Sequence, residues 1–215
     1  PHVSTSMVII ITCCIMMIMA GCKFWQFLMS GVIAVGGIGS IATVLYAASD
    51  AFKKQFQYIV TRFITFTDPW QDATGDGWQI IQSLYAIGPG GLFGMGIGKS
   101  IQKHFYLPEP QTDFIFSIIS EELGFIGVLL VSSFFIFIFY RCIKISMNTK
   151  DLFGKYLSFG LSFMIIFQTL LNLSVVVGLV PVTGVTLPFL SYGGSSLLVS
   201  MVSIGIILNI SRDSN

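Results

Sequence analysis

From Tyr156 to Ser211 the sequence runs 56 residues without an Asp, Glu, Lys or Arg. One helix across a bilayer core takes about 20 apolar residues, so this run holds two spans, and Pro181, Pro188 and the pair Gly193-Gly194 mark the loop between them. Met7 to Cys22, Phe24 to Ser49 and Leu123 to Tyr140 are also free of charge. The pattern predicts an all-α polytopic bundle with about five membrane helices, near 4–22, 27–48, 116–140, 156–178 and 190–210. Composition agrees, with 54% hydrophobic and 10% charged residues against roughly 25% charged in soluble domains. Eleven Lys and Arg against ten Asp and Glu leave a net charge of +1, and this lack of basic excess argues against nucleic-acid binding.

Cys13, Cys14, Cys22 and Cys142 lie in or at the ends of expected spans, with no Cys-x-x-Cys spacing and no His pair. They read as packing residues, and no metal site is expected from them. His104 is a lone imidazole, more often solvated than catalytic, and His2 supports no argument. The chain starts at Pro1 with no basic segment ahead of its first apolar run. That reads as a piece of a longer membrane protein rather than a signal peptide.

Short loops rich in Lys and Arg stay cytoplasmic. Arg141, Lys144, Lys150 and Lys155 stand against one acid, Asp151, between the third and fourth spans, so that loop is expected inside. Lys23 and the C-terminal Arg212 then also fall inside, and the loop 179–190 falls outside with the long connection 49–115. Eight of the ten acids lie between Asp50 and Glu122, so any chemistry belongs to the outer face. Within the connection, Gln79 to Phe93 is apolar enough for a short helix, and Gly88, Gly90, Gly91, Gly94, Gly96 and Gly98 forbid its continuation. This predicts a re-entrant element beside a cavity. The stretch Gly94 to Ser100 is not a phosphate loop, because a Walker motif would need Gly where Phe93 stands.

Two segments are rich in candidate site residues. In Leu107-Pro108-Glu109-Pro110-Gln111-Thr112-Asp113 the prolines hold an extended approach and Thr112 is the expected N-cap of the next helix, with Asp113 in its first turn. Four-residue spacing then puts Asp113, Ser117 and Glu121 on one face. Asp113 either complements the helix dipole or does chemistry, while Glu121 and Glu122, acids at a bilayer boundary, are expected to face partners, water or a pathway. The loop from Gly178 to Ser196 is uncharged and rich in hydroxyls. It suits a tight turn with small residues for helix packing, or a cavity lining. Asn172, inside the fourth span, reads as an interhelical hydrogen-bonding residue.

These segments carry a resemblance. Leu107-Pro108-Glu109, Thr112-Asp113-Phe114-Ile115-Phe116 and Glu121-Glu122-Leu123-Gly124, with Pro181, Gly184 and Leu187-Pro188-Phe189-Leu190-Ser191-Tyr192-Gly193-Gly194-Ser195-Ser196, resemble the SEDS family, the shape, elongation, division and sporulation group of FtsW, RodA and SpoVE. Arg62, Phe66, Pro69-Trp70, Asp72, Gly77-Trp78-Gln79 and Gln82-Ser83 match as well. The similarity covers Pro1 to about Arg212, and the five helices look like the C-terminal half of the family's ten. Departures are small: Pro1-His2-Val3 replaces a common Pro-Asp-Leu, and Pro110-Gln111 replaces an Ala-His or similar pair.

The resemblance implies a peptidoglycan glycosyltransferase of the bacterial cytoplasmic membrane that polymerises lipid II into β-1,4 glycan strands, in division, elongation or sporulation. It implies that Asp113 is the general base and that a class B penicillin-binding protein, a transpeptidase, is the partner, both embedded in membrane lipid. Arg62, Lys99 and Lys103 are the outer cations suited to the pyrophosphate, where a divalent cation, Mg or Mn, would assist. Glu109, Thr112, Ser117, Glu121, Glu122, Ser191, Tyr192 and Ser195 complete the expected substrate site. Helix dipole and burial pull the Asp113 pKa in opposite directions. The competing readings are a lipid II flippase, favoured by glycine-broken elements, and a non-catalytic scaffold for cell-wall enzymes.

Overall fold

A computed structural model describes residues 3–23, 25–26, 29, 31–32, 36–37, 40, 50–75 and 77–212. Those residues are helical and contain no strand. The helices are α1 (Val3–Met19), α2 (Asp50–Thr67), α3 (Trp78–Gly90), α4 (Gln102–Phe105), α5 (Ile115–Asn148), α6 (Leu152–Val176) and α7 (Gly194–Arg212), with a 3-10 turn at Pro69–Asp72. Helices α5, α6 and α7 are long and apolar enough to cross a membrane, whereas the apolar stretch of α1 is shorter. The expected span near 27–48 lies, but for a few positions, outside the described residues.

Helix α6 is the hub, packing on α1, α5 and α7 and touching α3. Its hydroxyls are satisfied within the helix: Ser162 donates to Ser158 O at 2.5 Å and Thr169 to Ile165 O at 2.9 Å. Such internal bonds let small polar residues sit at apolar interfaces. The α5–α6 turn is short because Thr149 Oγ1 closes α5 on Ile145 O and the Asp151 carboxylate accepts from Gly154 N, capping α6.

Three boundaries differ from expectation by four residues or more. Helix α5 continues to Asn148 rather than 140, because Arg141 and Lys144 are good helix formers and nothing between them and Asn148 breaks the helix. Helix α6 begins at Leu152, where Asp151 caps it, and α7 begins only at Gly194, because Ser191 and Tyr192 are tied to another segment.

The main irregularity is a break inside α5. Gly124 adopts φ 67° and ψ −163°, which removes the helical bonds of Glu121 O and Glu122 O to Phe125 N and Ile126 N. The glycine-rich loop after α3 takes their place: Met95 N and Gly96 N donate to Glu121 O and Glu122 O at 2.9 and 3.0 Å. Phe125 N and Ile126 N donate to Gly91 O and Leu92 O at 2.9 and 3.2 Å. All four freed backbone groups are thus re-paired, as burial at membrane depth demands. Backbone meets backbone here. A Cβ on Gly94 would strike the Glu122 carbonyl, and one on Gly124 would strike Gly94 N.

Candidate active site

The segment before α5 is anchored by apolar residues at both ends. Leu107 and Phe114 are buried in one cluster with Val175, Val176 and Leu187, so the polar residues between them form a turn at the surface. Glu109 has φ 51°, and Thr112 Oγ1 donates to Glu109 O and Oε2 at 3.2 and 3.1 Å. The expected Thr112 cap is therefore not made. Phe114 occupies the cap position without a side-chain bond, and Asp113 precedes α5 instead of sitting in its first turn.

Three successive carbonyls of this turn are held from elsewhere in the chain. Gln111 O accepts from Tyr192 N at 2.8 Å, and Thr112 O from Ser191 Oγ at 2.5 Å. Asp113 O accepts from Asn172 Nδ2 at 2.7 Å. The same amide donates to Val185 O at 2.8 Å, and Ser191 Oγ accepts from Leu187 N at 2.7 Å. The two sequence segments thus form one unit, clamped by α6. Gly184, at φ 68°, brings its backbone against the Asp113 carboxylate: a Cβ there would lie 3.5 Å from Oδ2, in a conformation that disfavours any side chain.

Asn172→Leu would leave two buried carbonyls unpaired while also removing an Oδ1 that is itself buried without a partner. These opposing effects set the expected loss of stability at about 1–3 kcal/mol, to be measured by thermal unfolding of the full-length protein.

Asp113 is half-buried, and its carboxyl is raised above the ordinary range. Desolvation is the main cause and the nearby Glu109 charge adds to it, while Arg62 opposes both. Burial and the Glu109 charge therefore outweigh Arg62. Arg62 reaches in from α2, donating from Nη1 to Val182 O at 2.5 Å. It lines a cleft of about 180 Å³ with Thr65, Trp78, Pro108 and Val182, and Trp78 Nε1 is fixed on Tyr106 O at 2.8 Å.

The structure brings together Arg62, Glu109, Thr112, Asp113 and Ser191, with Tyr192 contributing its backbone while its side chain is 79% exposed. It does not assemble the expected Asp113–Ser117–Glu121 face. Ser117 is fully buried, 2.8 Å from Ser83 Oγ, which also donates to Val176 O. Glu121 is buried, and its carboxylate accepts from Ser100 Oγ at 2.5 Å and Ile101 N at 3.0 Å. The register that would join them to Asp113 begins two residues too late to include it. Glu122 Oε1 is buried without a hydrogen-bond partner among the described residues. Lys99 and Ser195 are exposed, and Lys103 is half-buried with its backbone N–H on Ser100 Oγ. Asn172 and Gly184 were not site candidates from sequence; the available signal was an amide inside an otherwise apolar span.

Across residues 1–215 the chain matches the family model FTSW_RODA_SPOVE, described as cell cycle protein. It is 48% identical over 212 residues to stage V sporulation protein E of Bacillus subtilis, covering 99% of this chain and 55% of that protein. It is 44% identical over 197 residues to a probable peptidoglycan glycosyltransferase FtsW of Geobacter, covering 92% and 51%. A solved structure described as "structural coordination of polymerization and crosslinking by a peptidoglycan synthase complex" superposes with a TM-score of 0.71 at 28% identity, covering 100% of this chain and 56% of that one. The chain thus spans about half the length of the relatives it matches. The three span-length apolar helices among its described residues and its match over every residue make it a helical membrane protein that belongs to the FtsW/RodA/SpoVE family of cell cycle proteins.

Proposed function

We propose that this chain forms the C-terminal, catalytic half of a peptidoglycan glycosyltransferase that polymerises lipid II at the outer face of the cytoplasmic membrane. The observation that carries this reading is Asp113, a half-buried carboxylate of raised pKa on a turn whose three carbonyls are held in place. Relatives named as probable peptidoglycan glycosyltransferases support the reaction class. The carboxylate takes the proton of the acceptor sugar's 4-hydroxyl as that oxygen attacks the anomeric carbon of the donor. The bond to the pyrophosphate breaks, and undecaprenyl pyrophosphate leaves with the electron pair. One displacement inverts an α-linked donor to a β-1,4 product, and a raised pKa makes Asp113 the stronger base.

Arg62, in its cleft beside the turn, is placed to stabilise charge on the departing pyrophosphate, with Lys99 and Lys103 on the neighbouring loop. No cluster of three or more His, Cys, Asp or Glu side chains forms among the described residues. Glu109 and Asp113 are the carboxylates at the turn, too few for a metal centre held by protein alone, and no step is routed through an ion. The basic 141–155 segment supports a cytoplasmic C-terminus and an outer 49–115 connection. A class B penicillin-binding protein is the partner, in keeping with a structural neighbour described as a synthase complex that couples polymerisation to crosslinking.

The flippase alternative draws on the broken helix α5. The glycine loop pairs Glu121 O, Glu122 O, Phe125 N and Ile126 N at that break, so these four backbone groups are not left to receive a substrate. The deciding experiment is polymerisation of lipid II by the full-length protein with its transpeptidase partner, comparing wild type with Asp113→Asn. Lipid II crossing the bilayer without glycan product would favour the flippase.

Because Asp113 must be ionised to act, the acid limb of the kcat/KM profile is expected above the ordinary carboxylate range. Glu109→Gln removes a like charge, lowers the Asp113 pKa and moves that limb to lower pH. An unmoved limb in Glu109→Gln would argue against Asp113 as its source. In stability the sign is opposite. With its folded pKa above the unfolded value, Asp113 adds stability that is fully present at low pH and lost as pH rises through the folded pKa.

A further inference from the structure

Away from the Asp113 turn, a groove of about 690 Å³ runs between α5 and α7. Its walls are apolar, with Phe134, Phe137, Ile204 and Leu208 among them, and Arg141 and Lys144 line its α5 wall about 10 and 15 Å beyond Phe134. From Phe134 to Asn148 the α5 wall rises about 20 Å at 1.5 Å per residue, the depth of roughly one bilayer leaflet. The volume falls in the range of small-molecule sites, about 300–1,000 Å³. Among the described residues no carboxylate lines the groove and neither cation has an ion pair. Asp151, the acid nearest in sequence, caps α6 through Gly154 N.

A groove about one leaflet long, apolar over its first half and carrying two cations in its second, is complementary to an amphiphile with an anionic head. We propose that this groove is a specific site for an anionic diacyl phospholipid of the cytoplasmic leaflet, its headgroup on Arg141 and Lys144 and an acyl chain along α5 and α7. The leaflet follows from the orientation proposed above; the charge preference does not depend on it, nor on the glycosyltransferase reading. Phe189, in the same loop as Ser191, also lines the groove. A chain lying there supports the loop that holds Thr112 O, coupling lipid occupancy to the Asp113 turn.

The test uses the full-length protein in nanodiscs. Leu208→Trp places a fluorophore in the groove, and its quenching is compared in brominated phosphatidylglycerol and brominated phosphatidylcholine. Two cations near a membrane surface set a preference of roughly 30-fold for the anionic lipid, which the added Arg141→Gln and Lys144→Gln substitutions should bring close to one. Native mass spectrometry of the protein without the tryptophan, counting retained phosphatidylglycerol against phosphatidylcholine, gives the same comparison without altering the groove wall. Equal occupancy by the two lipids, or a preference that survives loss of both cations, overturns the proposal. Absence of quenching by either lipid also overturns it, because the groove is then covered by another part of the full-length protein or by its partner.

Discussion

Asp113→Asn is expected to lower lipid II polymerisation by the full-length protein about 10²- to 10⁴-fold, the range contributed by a positioned general base. The substitution keeps the shape of the side chain and leaves the turn intact, since the bonds that hold it run to the backbone carbonyls of Gln111, Thr112 and Asp113. It removes a partly desolvated carboxylate whose burial is unfavourable, so folding should be unimpaired or slightly improved. Loss of glycan product with unchanged thermal unfolding and unchanged partner binding is therefore the expected combination. Undiminished product would remove Asp113 from the mechanism, and the scaffold reading would then gain ground.

The second large effect is structural. Gly124→Ala or Gly94→Ala should destabilise the protein by more than about 4 kcal/mol, an exceptional value for one methyl group. Two costs combine. A side chain at φ 67° or 78° is strained by about 1–2 kcal/mol, and the added Cβ drives apart backbones that share four hydrogen bonds, each worth about 1–3 kcal/mol if left unpaired. Gly98→Ala is the control, because Gly98 has φ 79° with open space around it and incurs only the strain. The measurement is the yield and thermal unfolding of the folded full-length protein in detergent. If Gly124→Ala were no worse than Gly98→Ala, the loop would not be what holds the break in α5 together.

Much of this arrangement was legible in the residue pattern. Uncharged runs predicted α5, α6 and α7, because apolar length is a local property that lipid reads directly. The glycines after α3 correctly announced a non-helical loop, but nothing in their spacing said that this loop would enter a helix at Gly124. That depends on which carbonyls a break exposes and which N–H groups arrive there. Helical periodicity misled where it was trusted across a boundary: Asp113, Ser117 and Glu121 share a register only if the helix already includes Asp113. Phe114, buried with Leu187, sets the start of α5 at Ile115 instead.

Local composition and short motifs are enough to read a membrane-embedded helical chain, its family and the acid in which its chemistry is proposed to reside, because none of these needs distant packing. That Asn172, Ser191 and Tyr192 hold the Asp113 turn carbonyl by carbonyl was settled by the folded chain. The folded chain likewise decided that Glu121 fixes a loop and that burial and the Glu109 charge outweigh Arg62 in setting the Asp113 pKa. Hydrogen-bond partners 59 to 81 residues apart and the loss of water around a carboxylate exist only once distant segments have packed together.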